Sequence, residues 1–184
     1  MIVVAGGLRS ATSGPSAVAT VAHRVAVLGA GVEAVGVVPA DGIGDRLLLE
    51  LRSAGVGHAA VLRSPAPALE AADLDLALRY LPDIRAIVLV QPDAELIATA
   101  SASAVWLGAG LVIVTSDGGP LPVDGPGVER SVVLAPPGAD PDGAFAGFVA
   151  VLAVGLARGD APAEAWAEAT TALGVEPVSG SLSS

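Results

Sequence analysis

Ala135-Pro136-Pro137-Gly138-Ala139-Asp140-Pro141-Asp142-Gly143-Ala144-Phe145-Ala146-Gly147-Phe148, continuing through Val149-Ala150-Val151-Leu152-Ala153-Val154, is the stretch whose reading decides the fold. It describes a chain leaving a sheet, a glycine-bearing turn, and a helix without a polar face. Such a helix has to be buried, so the expectation is a central helix whose amino end opens inside the molecule. The first backbone N–H groups of a helix lack intrahelical partners and carry the positive end of the dipole, so small residues in front of them leave room for an anion. Gly138, Ala139, Gly143 and Ala144 are therefore the candidate phosphate-binding residues. A purely structural reading competes with this one: Asp140 as N-cap and Pro141 as first helical residue is ordinary helix-start chemistry.

Working outward, the rest of the chain alternates. Ile2 to Ala5, Glu33 to Val38, His58 to Leu62, Arg85 to Val90, Leu111 to Thr115 and Glu129 to Leu134 read as strands. Between them lie helical patterns: Pro15 to Leu28, stopped by Gly29 or Gly31; Asp45 to Ala54, stopped by Gly55; Ala71 to Leu81, broken at Pro82; and a segment capped by Asp93 that runs through Trp106. Asp160, Pro162 and Glu164 open a last helix with a capping acid and an early proline. Strands made of continuous Val, Ile and Leu runs and separated by helices imply a mostly parallel sheet covered on both faces. The expected class is α/β, three-layer α/β/α, with about six strands in a single domain over residues 1–176 and a disordered tail over 177–184.

Composition narrows the function classes. The chain has 184 residues, 53% hydrophobic content and only 15% charged residues, with a mean hydropathy of +0.69. So little charge to cover the surface points to an apolar area hidden in a homo-oligomer. A formal charge of −10, with nine scattered arginines as the only Lys or Arg residues, argues against nucleic acid and anionic membranes as partners. The absence of lysine removes a Walker A loop and Schiff-base chemistry, and the absence of cysteine removes disulfides, thiolate nucleophiles and cysteine-bearing zinc sites. His23 and His58 have no ligand spacing between them, so no metal is expected. The first residues lack a basic n-region, and the longest apolar run, Gly143 to Ala157, falls short of the ~20 residues that span a bilayer. A cytoplasmic location is the expectation.

The stretch quoted first resembles the C-terminal signature of ribokinase-type (PfkB) sugar and nucleoside kinases, D-T-x-G-A-G-D-A-F-x-x-G before a buried helix. Three more segments are similar to the family in the same order. Gly14-Pro-Ser-Ala-Val18-Ala-Thr-Val-Ala22 with Val27-Leu28-Gly29 resembles its G-G-x-x-x-N-x-A helix. Val35-Gly36-Val37-Val38-Pro39-Ala40-Asp41-Gly42-Ile43-Gly44, with Leu47, Leu51 and Gly55-Val56, resembles its V-G-x-V-G-x-D-x-x-G. Val112-Ile-Val-Thr115-Ser-Asp-Gly118-Gly119 is similar to its nucleotide-side loop. The resemblance implies a ribokinase-like fold, ATP with Mg2+ if the chain is active, and Thr115, Gly118 and Gly119 at the nucleotide.

The departures from that pattern shape the functional expectation. Family members are longer, and the sugar-covering lid and the central N-x-x-E block have no counterpart here. The sugar-binding Asp after the first strand is missing, Val18 replaces the Asn of the first helix, and Ser13 replaces a glycine. The family's proton-accepting Asp falls on Pro141 when counted from Gly138-Ala139, and on Gly143 when counted back from Ala144-Phe145. Asp142 lies between the two registers and is the candidate catalytic base. The expectation is a reduced, pseudoenzyme-like domain that binds a small molecule or nucleotide, with weak or no phosphotransferase activity. The alternatives are an active sugar or nucleoside kinase using Asp142 with a lid supplied by a partner, and a degenerate fold kept as an assembly module. Trp106 and Trp166 are read as packing residues, Gly118-Gly119 also fits a plain turn, and Asp41 is read as a helix cap.

Overall fold

The computed structural model describes residues 1–8, 16–65, 68–115, 128–137, 140 and 142–173. In chain order the elements are β1 (Ile2–Gly6), α1 (Ala17–Val27), β2 (Val32–Pro39), α2 (Gly42–Ser53), β3 (Gly57–Ser64), α3 (Ala71–Tyr80), β4 (Ala86–Val90), α4 (Ala94–Leu107), β5 (Gly110–Val114), β6 (Ser131–Leu134), α5 (Ala144–Arg158) and α6 (Pro162–Ala172). The six strands form one sheet in the order β3-β2-β1-β4-β5-β6. Every neighbouring pair is parallel.

The apolar runs explain the sheet. β1, β4 and β5 are buried at every position, because side chains alternate between two covered faces. Val4, Val88 and Val112 point into a core shared with α1, α2 and α5. Val3, Ile87, Leu89 and Ile113 point into a second core under α3 and α4. α5 lies over β1, β4 and β5 with α1 and α6 on its flanks. Leu152 and Leu156 are fully buried. Gly155 is where α6 comes closest: a Cβ there would stand 2.8 Å from the Cβ of Ala165.

Most segment boundaries follow from caps. α2 begins at Gly42, earlier than its apolar pattern indicates, because the Asp41 carboxylate accepts from Ile43 N at 2.9 Å and Gly44 N at 3.2 Å. Gly44 is tied to its site by contact: a Cβ there would fall 1.9 Å from the Pro39 carbonyl oxygen. α4 is capped as expected, with Asp93 accepting from Leu96 N. β6 is shorter than its sequence pattern, since Glu129 and Arg130 belong to a 3-10 turn. There the Arg130 guanidinium donates to Leu156 O at 3.0 Å.

At the last helix the cap position is Ala161, not Asp160. The Glu164 carboxylate accepts from Ala161 N, and Asp160 turns instead to Arg158. The proposed start of α1 at Pro15 and the tail over 177–184 lie outside the described residues.

One buried carboxylate has a structural duty that its sequence context does not reveal. Glu33, on β2, accepts from Ala59 N at 2.5 Å and from Ala60 N at 3.4 Å. The β2–β3 register slips between Glu33 and Val35, so the side chain takes the place of the missing ladder acceptor. A buried amide left without an acceptor is costly, and Glu33 removes that cost.

Candidate ligand site at the carboxyl ends of the strands

In an open parallel sheet the crevice forms outside the carboxyl ends of the strands where their order reverses. Here that point lies between β1 and β4, which are adjacent in the sheet although two strands separate them in the chain. β1 ends there at Gly6. β4 is followed by Gln91, a non-glycine residue with φ of +51° whose N–H donates to Val114 O. Positive φ at such a residue is a local strain that few positions hold. Thr115, at the carboxyl end of β5, is half-buried and donates its N–H to Leu134 O at 2.9 Å.

The amino end of α5 reaches the same edge of the sheet, and there the expectation is corrected. The helix body is buried, but its mouth faces outward: Asp140, Asp142 and Ala144 are exposed. The helix begins at Ala144 after a left-handed Gly143, φ +66°, three residues later than an Asp140 cap followed by Pro141 would place it. Asp140 nonetheless reaches forward and caps the helix. Its carboxylate accepts from Phe145 N at 3.1 Å and from Ala146 N at 3.3 Å. Two of the amides that would cradle a phosphate are thus held by the chain's own carboxylate.

Arg24, on the exposed side of α1, donates from Nη2 to the Asp142 carbonyl oxygen at 3.0 Å. A Cβ on Gly143 would meet that guanidinium at 3.0 Å. The arginine therefore pins the turn through its backbone and leaves the Asp142 side chain exposed. Neither Arg24 nor Gln91 carries a sequence signal for this role, since Arg24 reads as a solvated helix position and Gln91 as part of a Gln-Pro-Asp turn. Gly143, Ala144 and Asp142 are brought together at the mouth of α5, with Thr115 at the end of a neighbouring strand. Gly138, Ala139, Pro141, Gly118 and Gly119 lie outside the described residues.

Other singled-out residues lie elsewhere. His23 is exposed on α1, and His58 at the start of β3 lies with Nδ1 3.3 Å from Val56 O. Among the described residues no group of three or more His, Asp or Glu side chains could hold a metal ion. Trp166, although 44% exposed, packs edge-on against Phe148, with ring centroids 5.0 Å apart. Trp106 does not: it is 81% exposed. Among the described residues no helix is long and apolar enough to cross a membrane.

ATP with Mg2+ fits this arrangement poorly. The amides of Phe145 and Ala146 face a carboxylate, Asp140, that a triphosphate would have to displace.

No protein-family model matches the chain, and no curated protein matches it in sequence. Solved structures do match in shape. The chain is similar to Sa239 at 12% identity, covering 100% of this chain and 97% of that one with a TM-score of 0.69. It is similar to a PfkB protein from Polaromonas sp. JS666 at 14% identity, with 97% and 96% covered and a TM-score of 0.62. An aminoimidazole riboside kinase from Salmonella enterica, complexed with aminoimidazole riboside and an ATP analog, matches at 14% identity, with 97% and 93% covered and a TM-score of 0.60. Against the apo form of an E. coli protein assigned as a ribokinase II, the chain spans 52% of the other's length. The six-stranded parallel sheet between two helical layers is thus the ribokinase-like α/β fold, the fold of PfkB-type carbohydrate kinase structures.

Proposed function

We propose that this chain is a reduced ribokinase-like domain that binds a small molecule or nucleotide weakly and has weak or no phosphotransferase activity. The observation that carries this reading is the Asp140 carboxylate seated on Phe145 N and Ala146 N. Phosphoryl transfer depends almost entirely on positioning and on electrostatic stabilisation of the phosphate oxygens. A fixed carboxylate at the helix mouth opposes both. β1 also reaches α1 within ten residues, 7–16, a span too short for the several strands of a lid. Apolar Val18 on α1 offers no hydrogen bond to a sugar hydroxyl.

In this reading Thr115, Gly118 and Gly119 border the ligand, Gly138, Ala139, Gly143 and Ala144 surround its anionic end, and Asp142 is the candidate base. The chain works as a homo-oligomer, with no nucleic-acid or membrane partner. The test is calorimetric titration with MgATP, together with ADP release over a panel of sugars and nucleosides. The expected result is weak nucleotide binding and turnover far below the ~1–100 s⁻¹ of kinases. Turnover within that range, abolished by Asp142→Asn, would overturn the reading in favour of an active kinase. A second reading, a fold retained for assembly, is favoured by the uncharged face of α4.

A further inference from the structure

The helical layer on the α3–α4 side has an unusual surface. α4 carries Glu95 in its first turn and no other charged residue through Leu107. Ala98 and Ala102 are exposed one helical turn apart, followed by exposed Val105 and Trp106. Beside them a groove of about 750 Å3 runs between α3 and α4, floored by small residues such as Ala71, Ala72 and Thr99. Its charged members, Asp75 and Arg79, neutralise each other at 2.8 Å. Two surfaces of a chain with net charge −10 meet at least cost where neither carries net charge.

We infer that this face is where two copies of the chain associate, with the α4 helices antiparallel about a two-fold axis at Ala102. A two-fold interface must be self-complementary, each protruding group meeting a recess displaced equally on the other side of the axis. α4 meets that condition. Trp106 projects four residues after Ala102, about 6 Å along the helix, while exposed Ala98 and the groove residue Thr99 lie four and three residues before it, about 6 and 4.5 Å away. In the antiparallel pair the indole of each copy lies over Ala98, Thr99, Ala71 and Ala72 of the other. The bare alanines at the crossing let the backbones approach. Two indoles, each with roughly 200 Å2 now in water, supply about a quarter of the ~1,600 Å2 of a standard interface. Leu107 in the groove wall and exposed Val105 on the same helix supply more. This inference rests on the self-association part of the proposed function and is independent of the ligand.

Sedimentation of the full chain tests it. The wild type is expected to dimerise, and added salt should tighten the dimer by screening the repulsion between acidic copies. Trp106→Glu should weaken association at least a hundredfold while circular dichroism stays native, because the side chain is already exposed. Leu49→Glu, on the opposite helical layer and 62% exposed in the wild type, should leave the dimer intact. The axis has its own signature: Ala102→Glu and Ala102→Arg should each be monomeric alone and form a one-to-one heterodimer when mixed, since residue 102 faces itself. A wild type that stays monomeric up to its solubility limit overturns the inference. So does a dimer that survives Trp106→Glu, dissociates with salt, or breaks with Leu49→Glu, and so do Ala102 variants that fail to pair. MgATP turnover plays no part in these outcomes, so failure here and failure of the ligand reading are distinguishable.

Discussion

Replacing Asp140 with alanine separates a helix cap from an anion site. Its two carboxylate oxygens accept from Phe145 N and Ala146 N at 3.1 and 3.3 Å. Loss of a side-chain cap costs about 1 kcal/mol, within a range of roughly 0.5–2. The charge stands at the positive end of a 15-residue helix, which places the cost in the upper half of that range at low salt. For a chain of this size ~1 kcal/mol corresponds to about 2–4 °C in Tm, so Asp140→Ala should melt about 2–8 °C lower in an anion-free buffer.

The same change frees two amides. Inorganic phosphate, ADP or ATP should then raise the Tm of Asp140→Ala more than that of the wild type; an anion at ten times its Kd restores about 1.4 kcal/mol. Asp140→Asn, which keeps one acceptor oxygen without the charge, should lie between. Thermal shift with and without phosphate reads both effects. If Asp140→Ala melts with the wild type, the carboxylate is not a cap. If both proteins respond equally to phosphate, Asp140 does not guard the helix mouth, and the main physical support for the proposed function goes.

Three further changes probe the frame. Gly155→Val pushes a branched side chain against Ala165, where even a Cβ would approach to 2.8 Å, so urea unfolding should show a loss of about 1–3 kcal/mol despite the better helix propensity. Glu33→Ala leaves Ala59 N and Ala60 N without their acceptor in the β2–β3 slip, and should cost about 1–3 kcal/mol, with amide exchange rising first in β3. Arg158 bonds to both Asp160 and Glu168, and these hydrogen bonds, Asp160 first, raise its already high pKa. Because the trio is half in water, Arg158→Ala should change stability by less than ~1 kcal/mol at moderate salt.

The α/β class, the six strands, the burial of α5 and the caps at Asp41 and Asp93 were legible in the sequence. Each is a local matter: side-chain period, apolar runs and short-range capping act over a few residues, and those residues are printed next to one another. The strand order, with its reversal between β1 and β4, could not be read that way, because pairing joins segments as far apart as Ile2 and Ala86.

The candidate site divides along the same line. That a glycine-bearing turn precedes a buried helix is a property of residues 135–154 alone. That Asp140 folds forward onto Phe145 and Ala146, that Arg24 crosses from α1 to hold the Asp142 carbonyl, and that Trp106 stands in water beside a groove instead of packing beneath it depend on where neighbouring helices come to rest. Hydrogen bonds and contacts between distant segments have no sequence period to announce them, so only the tertiary structure decides whether a helix amino terminus is open to an anion or already capped by the chain itself.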